Sequence, residues 1–109
     1  MTCNGSSCFG QDPIATGCAN DAQTYKSFYL QNIDLYVEAR WSPACNAAWA
    51  RASTCCNAQG TLSVGQPPQL GQSTSIPSGY TRMIVWAGGP RACVIVTDPP
   101  GIPNTCTPA

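Results

Sequence analysis

The cysteines are the residues of this sequence most able to do chemistry. The chain of 109 residues contains eight: Cys3, Cys8, Cys18, Cys45, Cys55, Cys56, Cys93 and Cys106. This density in a short chain is typical of disulfides formed in an oxidising compartment, where crosslinks support a modest core. Zinc is the alternative, but zinc sites favour Cys-x2-4-Cys pairs and often use histidine. The close pairs here are Cys3/Cys8 and the adjacent Cys55/Cys56, and histidine is absent. We therefore predict disulfides, with no metal and no other cofactor.

Catalytic residues are harder to find. Because the sequence has no histidine, mechanisms based on Ser-His-Asp, Cys-His or His-bound metal are excluded. Asp34 and Glu38 would lie about 13 Å apart along one strand. Paired glycosidase carboxylates lie only about 5–9.5 Å apart. We interpret Asp34, Tyr36, Glu38 and Arg40 as a solvated strand face, predict no catalytic residue, and favour a non-enzymatic protein.

The aromatic residues indicate a binding surface more clearly. An exposed aromatic patch would mark a site for sugar or protein. We expect the tryptophans Trp41, Trp49 and Trp86 to form the core, since large aromatic side chains dominate small β cores. The four residues that we predict for a binding surface are Tyr25, Tyr36, Glu38 and Arg40.

Charge and hydropathy narrow the choice of partners. Charged residues make up 9% of the chain, the formal net charge is zero, and the five basic residues are scattered. This pattern argues against nucleic acid binding. No apolar run approaches the roughly 20 residues of a membrane span. The remaining partners are a protein or polysaccharide surface, or a second copy of the chain, because little charge repulsion would oppose self-association.

Regular alternation predicts a β protein. Apolar residues recur at every second position from Ile33 to Trp41, which indicates a half-buried strand over residues 32–41. Further strands are predicted over residues 21–29, 61–65, 80–86 and 91–97. The chain is therefore expected to form a single domain over residues 1–109, a small disulfide-rich antiparallel β-barrel or sandwich of five to six short strands.

The remaining segments are less regular. Residues 1–20 are expected to form an irregular cysteine-rich arm, residues 65–79 a long loop, and residues 98–109 an extended tail. Residues 43–54 are ambiguous. Their alanines and Pro43 favour a helix, whereas a turn at Ser42-Pro43 would make them the second strand of a hairpin.

A motif in the middle of the chain resembles a known family. It reads Val37-Glu38-Ala39-Arg40-Trp41-Ser42, then Cys45, then Trp49-Ala50-Arg51. An amino-terminal cluster, Cys3…Cys8-x-Gly10-x-Asp12-Pro13…Cys18, precedes it, and Tyr80-Thr81-x-Met83, Arg91-Ala92-Cys93 and Thr105-Cys106-Thr107 follow. In this order and spacing the motifs resemble the YjfA-like family of bacterial secreted cysteine-rich domains of unknown function.

The resemblance implies a mainly β domain, secreted or at the cell surface, with the Trp49 segment as the second strand of the hairpin. Six cysteines match the family pattern and would form shared bridges, and we hypothesise that one of these joins Cys18 to Cys45. Cys55 and Cys56 lie outside the pattern. They could bond to each other, to other chains or to distant partners. We favour a combination in which Cys55 and Cys56 form disulfide bonds both to the core of the domain and to other chains. If the protein is secreted, the sequence should be a mature form that starts at an added Met1.

These observations predict a secreted, non-enzymatic binding or structural module, with self-assembly at the cell surface as one variant of that role. Two alternatives remain open. One is an extracellular hydrolase acting through dispersed carboxylates. The other is a hydrolase inhibitor that presents the loop at residues 65–79.

Overall fold

The computed structural model describes residues 3–66 and 71–108. These ranges contain eight β-strands and four short 3-10 helices, with no α-helix. The strands are β1 (Gln23–Leu30), β2 (Leu35–Ser42), β3 (Ala47–Thr54), β4 (Gln59–Gly65), β5 (Gln72–Ser75), β6 (Ile84–Val85), β7 (Arg91–Asp98) and β8 (Thr105–Cys106). The 3-10 helices are Gly5–Cys8, Cys18–Asp21, Gln31–Ile33 and Ile76–Ser78. A mainly β fold is confirmed, but the expected count of five to six strands was too low.

The strands form two antiparallel sheets of four strands each. The first sheet has the order β1-β2-β3-β6, and the second has the order β5-β4-β7-β8. The described part of the chain contains no closed barrel, so the barrel alternative is wrong. None of its helices is long or apolar enough to cross a membrane.

One hydrophobic core joins the two sheets. Leu35, Val37 and Ala39 alternate along β2 and are fully buried, as the period of two in the sequence predicts. They belong to the same buried cluster as Leu62 of β4 and Val94 of β7. Burial of this apolar surface is the main term that holds the sheets together.

Residues 47–54 form a strand, so the hairpin is confirmed and the helical alternative is wrong. Strand β3 pairs with β2 along its full length, with Ala47 opposite Ser42 and Thr54 opposite Leu35. Ala48, Ala50 and Ala52 are buried and belong to the core between the sheets. Tertiary packing and strand pairing therefore override the helical propensity of the alanines.

Several predicted boundaries need correction. Strand β2 begins at Leu35 rather than residue 32, because Asp34 has a left-handed φ of 49° directly after the 3-10 helix. In the predicted strand 80–86, only Ile84–Val85 pairs as a strand, and Tyr80 forms an isolated bridge with Arg51.

The predicted arm, loop and tail each contain short regular elements. The arm includes two of the 3-10 helices, the predicted loop contains β5, and the predicted tail contributes β8. Residues 67–70, which also belong to the predicted loop, lie outside the described residues, as do the ends of the predicted arm and tail at residues 1–2 and 109.

Candidate functional site

The disulfides fix the amino-terminal arm on the first sheet. Cys3 is bonded to Cys8, and Cys18 is bonded to Cys45 in the turn between β2 and β3. The hypothesised Cys18–Cys45 bridge is therefore present. A third bridge, Cys93–Cys106, ties β8 to β7.

The first two bridges lie against each other. The Sγ atoms of Cys3, Cys8, Cys18 and Cys45 all lie within 4.8 Å of one another. Because they are bonded in pairs, they offer no thiolate to a metal ion. Three of them are buried in a second apolar cluster with Trp49 and Met83, which packs the arm on the outer face of the first sheet.

Cys55 and Cys56 follow β3 and are bonded to each other. This pairing contradicts the favoured interpretation of bonds to the core and to other chains. Both residues are exposed, and the described part of the chain has no free cysteine. The sequence left this arrangement open because cysteine spacing does not determine connectivity.

Beyond the arm, the outer face of the first sheet is open. Tyr29 of β1 pairs directly with Tyr36 of β2, and Tyr36 pairs with Ser53 of β3. The tyrosines are 52% and 38% exposed. The Tyr29 hydroxyl donates a hydrogen bond to Asp34, and this bond raises the pKa of the phenol. The next row across the strands contains Ser27, Glu38 and Arg51. We call these two rows the tyrosine face; its residues are Ser27, Tyr29, Tyr36, Glu38, Arg51 and Ser53.

Glu38 organises the polar part of this face. Arg40 Nη1 donates to Thr24 Oγ1 at 2.6 Å, and the same hydroxyl donates to Glu38 Oε2 at 2.5 Å. Arg40 Nη1 also lies 3.5 Å from Glu38 Oε2, and Arg51 Nε lies 3.9 Å from Glu38 Oε1. Glu38 is only 8% exposed, so its predicted place on a solvated face is wrong. Its charge is instead compensated by hydrogen bonding and two neighbouring guanidinium groups.

Tyr25 does not share this face with Tyr36, Glu38 and Arg40. Its ring packs edge-on against Trp86 at 5.0 Å, and its hydroxyl donates to the Gly88 carbonyl at 3.3 Å. Trp86 in turn stacks on Trp41 at 4.3 Å. All three rings are half-buried and pack against the core between the sheets, whereas Trp49 is buried in the second cluster. The tryptophans therefore serve packing, as predicted, although two of them are incompletely covered.

The carboxylates are engaged separately. Asp12 accepts hydrogen bonds from the backbone N–H groups of Ile14 and Ala15 and from the Tyr80 hydroxyl. Burial alone would raise the pKa of Asp12, but these bonds together with the charge of Arg82 outweigh it and lower the pKa. Asp21 accepts from the Ser42 hydroxyl at 2.5 Å and from the Ala44 backbone N–H at 3.0 Å. The Ser42 bond is the main cause of the lowered pKa of Asp21.

Of five cavities among the described residues, none is lined by two carboxylates. Asp12 lines one cavity and Asp34 another, and each is the only acid there. None of these five cavities therefore offers the paired acids that a glycosidase uses.

Sequence reasoning missed three residues that the fold brings to the site. Tyr29 and Thr24 lie on β1 and Arg51 on β3, and each reaches Tyr36, Glu38 or Arg40 only through strand pairing. The alternation along β2 predicted only which side chains of β2 itself point outward. The register of the neighbouring strands was the missing information, and a bulge between Thr24 and Lys26 shifts it further.

Comparison with known proteins gives a family but no activity. No curated protein and no solved structure matches the chain. Residues 6–93 match the family model described as "Protein of unknown function (DUF2690)". The match covers the arm from residue 6 onward, the first sheet and β4 to the start of β7, and on this basis the chain belongs to the DUF2690 family.

Proposed function

We propose that the protein is a secreted, non-enzymatic module that binds polysaccharide at a cell surface through its tyrosine face. The main observation behind this proposal is the exposed cross-strand pair of Tyr29 and Tyr36 on an open sheet face. The disulfides support an extracellular location, since such crosslinks persist in oxidising compartments. The YjfA-like resemblance and its bacterial secreted origin belong to the same proposal.

The chemistry of the face favours sugar over protein as the partner. Adjacent tyrosines offer apolar rings to the C–H faces of sugars and hydroxyl groups to their oxygens. Serines and charged side chains surround them, so the face lacks the broad apolar centre that is typical of a protein interface.

Self-assembly is a second candidate because β1 is an edge strand of eight residues. Two features of β1 oppose it. A bulge interrupts the strand between Thr24 and Lys26, and Lys26 itself is a charged residue on the edge. Bulges and lysines are common means by which natural proteins block edge-to-edge pairing. The carbohydrate proposal is therefore the stronger one.

The hydrolase and inhibitor alternatives receive less support. The acids do not converge, and the proposed inhibitory loop at residues 65–79 contains strand β5, paired with β4 over Gln72–Ser75. A segment held in a sheet is poorly suited to enter a protease or glycosidase cleft.

The test is sedimentation of the protein with insoluble chitin, cellulose and bacterial cell-wall polysaccharide. We expect retention on at least one polymer, and loss of it in the double variant Tyr29→Ala/Tyr36→Ala. Ile95→Ala is the matched control, because Ile95 is 50% exposed on the second sheet and its truncation also removes exposed apolar surface. Equal retention of both variants, or no retention of the wild type on any polymer, would contradict the proposal.

A further inference from the structure

A cavity of about 220 Å³ lies where the arm meets the outer face of β2 and β3. Its walls come from the arm residues Pro13, Ile14 and Ala19 and from the strand residues Arg40, Trp49 and Arg51. We call it the arm pocket. It adjoins the tyrosine face, because Arg51 belongs to both.

The arm pocket carries one positive charge in excess. Two guanidinium groups line it, and Glu38 is the single carboxylate that forms ion pairs with them among the described residues. The Arg51 side chain is 55% exposed, and its one ion-pair contact with a described residue is the long 3.9 Å approach to Glu38. Its remaining N–H groups make no hydrogen bond within the described ranges, so they are available to a carboxylate, which the planar guanidinium binds through two parallel bonds.

Tyr80 also lines the pocket, and its hydroxyl donates a hydrogen bond to Asp12. The rest of the lining is apolar. Trp49 lines it although only 3% of its surface is exposed, and Ile14, 62% exposed, stands at its rim. Drug-sized ligands occupy pockets of about 300–1,000 Å³, so this smaller cavity fits a single ring or side group. Its occupant should therefore combine one negative charge with a compact body that has an apolar face.

We propose that the arm pocket binds the carboxylate of an acidic sugar residue, so that the ligand of this protein is a carboxylated polysaccharide. The inference rests on the proposed function, because the arm pocket continues the tyrosine face. In this proposal the tyrosines contact sugar rings of the polysaccharide. Arg51, supported by Arg40, selects for the carboxylate group.

The experiment compares polygalacturonate with the same polymer after full methyl esterification, which removes the charge and keeps the backbone. Affinity electrophoresis or calorimetry at low salt measures binding of the wild type, Arg51→Gln and Arg91→Gln. Arg91 is the matched control because it is an exposed arginine on the second sheet. We expect the wild type and Arg91→Gln to bind the acid form at least about tenfold more tightly than the ester. Arg51→Gln should bind the two polymers equally.

Each failure points to a different conclusion. If the wild type binds both polymers equally, the carboxylate inference is overturned and the tyrosine face stands. If Arg91→Gln loses the preference as fully as Arg51→Gln, the effect is general charge attraction and the pocket is not the site. If the wild type binds neither polymer, the carboxylate inference again fails, and the sedimentation panel decides the proposed function separately. Equal thermal melting of the variants confirms that folding is unchanged.

Discussion

Glu38 on β2 lies directly opposite Arg51 on β3, and 3.9 Å separates Arg51 Nε from Glu38 Oε1. Glu38 is bound more closely on its other side, where Thr24 donates to Oε2 at 2.5 Å. The carboxylate is thus fixed by Thr24 and Arg40, while Arg51 stays free to move toward solvent. This asymmetry agrees with a structural role for Glu38 and with the binding role that we propose for Arg51.

Replacing Glu38 with glutamine should destabilise the protein. The amide keeps an acceptor for Thr24 but leaves Arg40 and Arg51 without an opposite charge beside them. Because the group is only 8% exposed, we expect a loss of about 1–2 kcal/mol in the free energy of unfolding, measured by urea denaturation. Asp98→Asn is the control, since Asp98 is exposed and forms no ion pair with any described residue. Equal stability of the two variants would show that the Glu38 network contributes little.

Removing the Cys18–Cys45 bridge by substituting both residues with alanine tests the role of the arm. The bridge spans 27 residues. A loop of this length restricts the unfolded chain by about 3–4 kcal/mol. The double variant Cys55→Ala/Cys56→Ala is the matched control, because a bond between neighbours encloses no loop and should contribute close to nothing through chain entropy. The urea midpoints of the two variants measure how much stability each has lost. A larger loss in the Cys55→Ala/Cys56→Ala control than in the Cys18→Ala/Cys45→Ala variant would contradict the prediction.

The pattern along β2 was sufficient to predict the hairpin's first strand and its buried face, because Leu35, Val37 and Ala39 follow one strict period. The β3 segment was ambiguous because alanine favours a helix in isolation, and its strand state depends on pairing with β2. Tyr29 and Arg51 were missed at the site for the same reason. Their contacts with Tyr36 and Glu38 depend on the register between strands, which the pattern within one strand does not reveal.

The short strands β5 and β8 were hardest to predict. Strand β5 consists of Gln72-Ser73-Thr74-Ser75, a polar stretch that reads as a loop, and it is held in place by pairing with β4. Strand β8 is only two residues long and is tied to β7 by the Cys93–Cys106 bridge. Such edge elements depend on their neighbours more than on their own composition.

Trp49 should contribute more to stability than Trp86, although both are tryptophans of the first sheet region. Trp49 is 3% exposed within the cluster that supports the arm, whereas Trp86 is half-buried. We expect Trp49→Ala to cost about 3–5 kcal/mol, as for a large buried aromatic, and Trp86→Ala to cost less. Thermal or urea unfolding followed by circular dichroism measures both. A greater loss of stability for Trp86→Ala would show that the stacked rings of Trp41 and Trp86 contribute more packing than Trp49 does.

Acid should weaken the β2–β3 turn through Asp21. Its pKa is lowered, mainly by the Ser42 hydroxyl bond and further by the Ala44 backbone N–H, with burial opposing. A carboxyl whose folded pKa lies below its unfolded value of about 3.9 stabilises the fold above that value, and this contribution is lost as the pH falls through the folded pKa. Urea unfolding of the wild type and Asp21→Asn should therefore differ at neutral pH, and the difference should begin to shrink below about pH 4 and disappear only below the lowered folded pKa. A difference independent of pH would contradict this role.

The protein should remain monomeric only while the edge of β1 is protected from pairing with another copy. Eight residues of β1 lie on the open side of the first sheet, and Lys26 follows the bulge that interrupts their pairing with β2. Lys26→Val removes the charge and raises the β propensity of the edge, so we expect the variant to self-associate. Lys26→Arg keeps the charge and should behave as the wild type. Sedimentation velocity across a dilution series separates the cases. Association of the wild type itself would favour the assembly alternative, because the edge would then be in use rather than blocked.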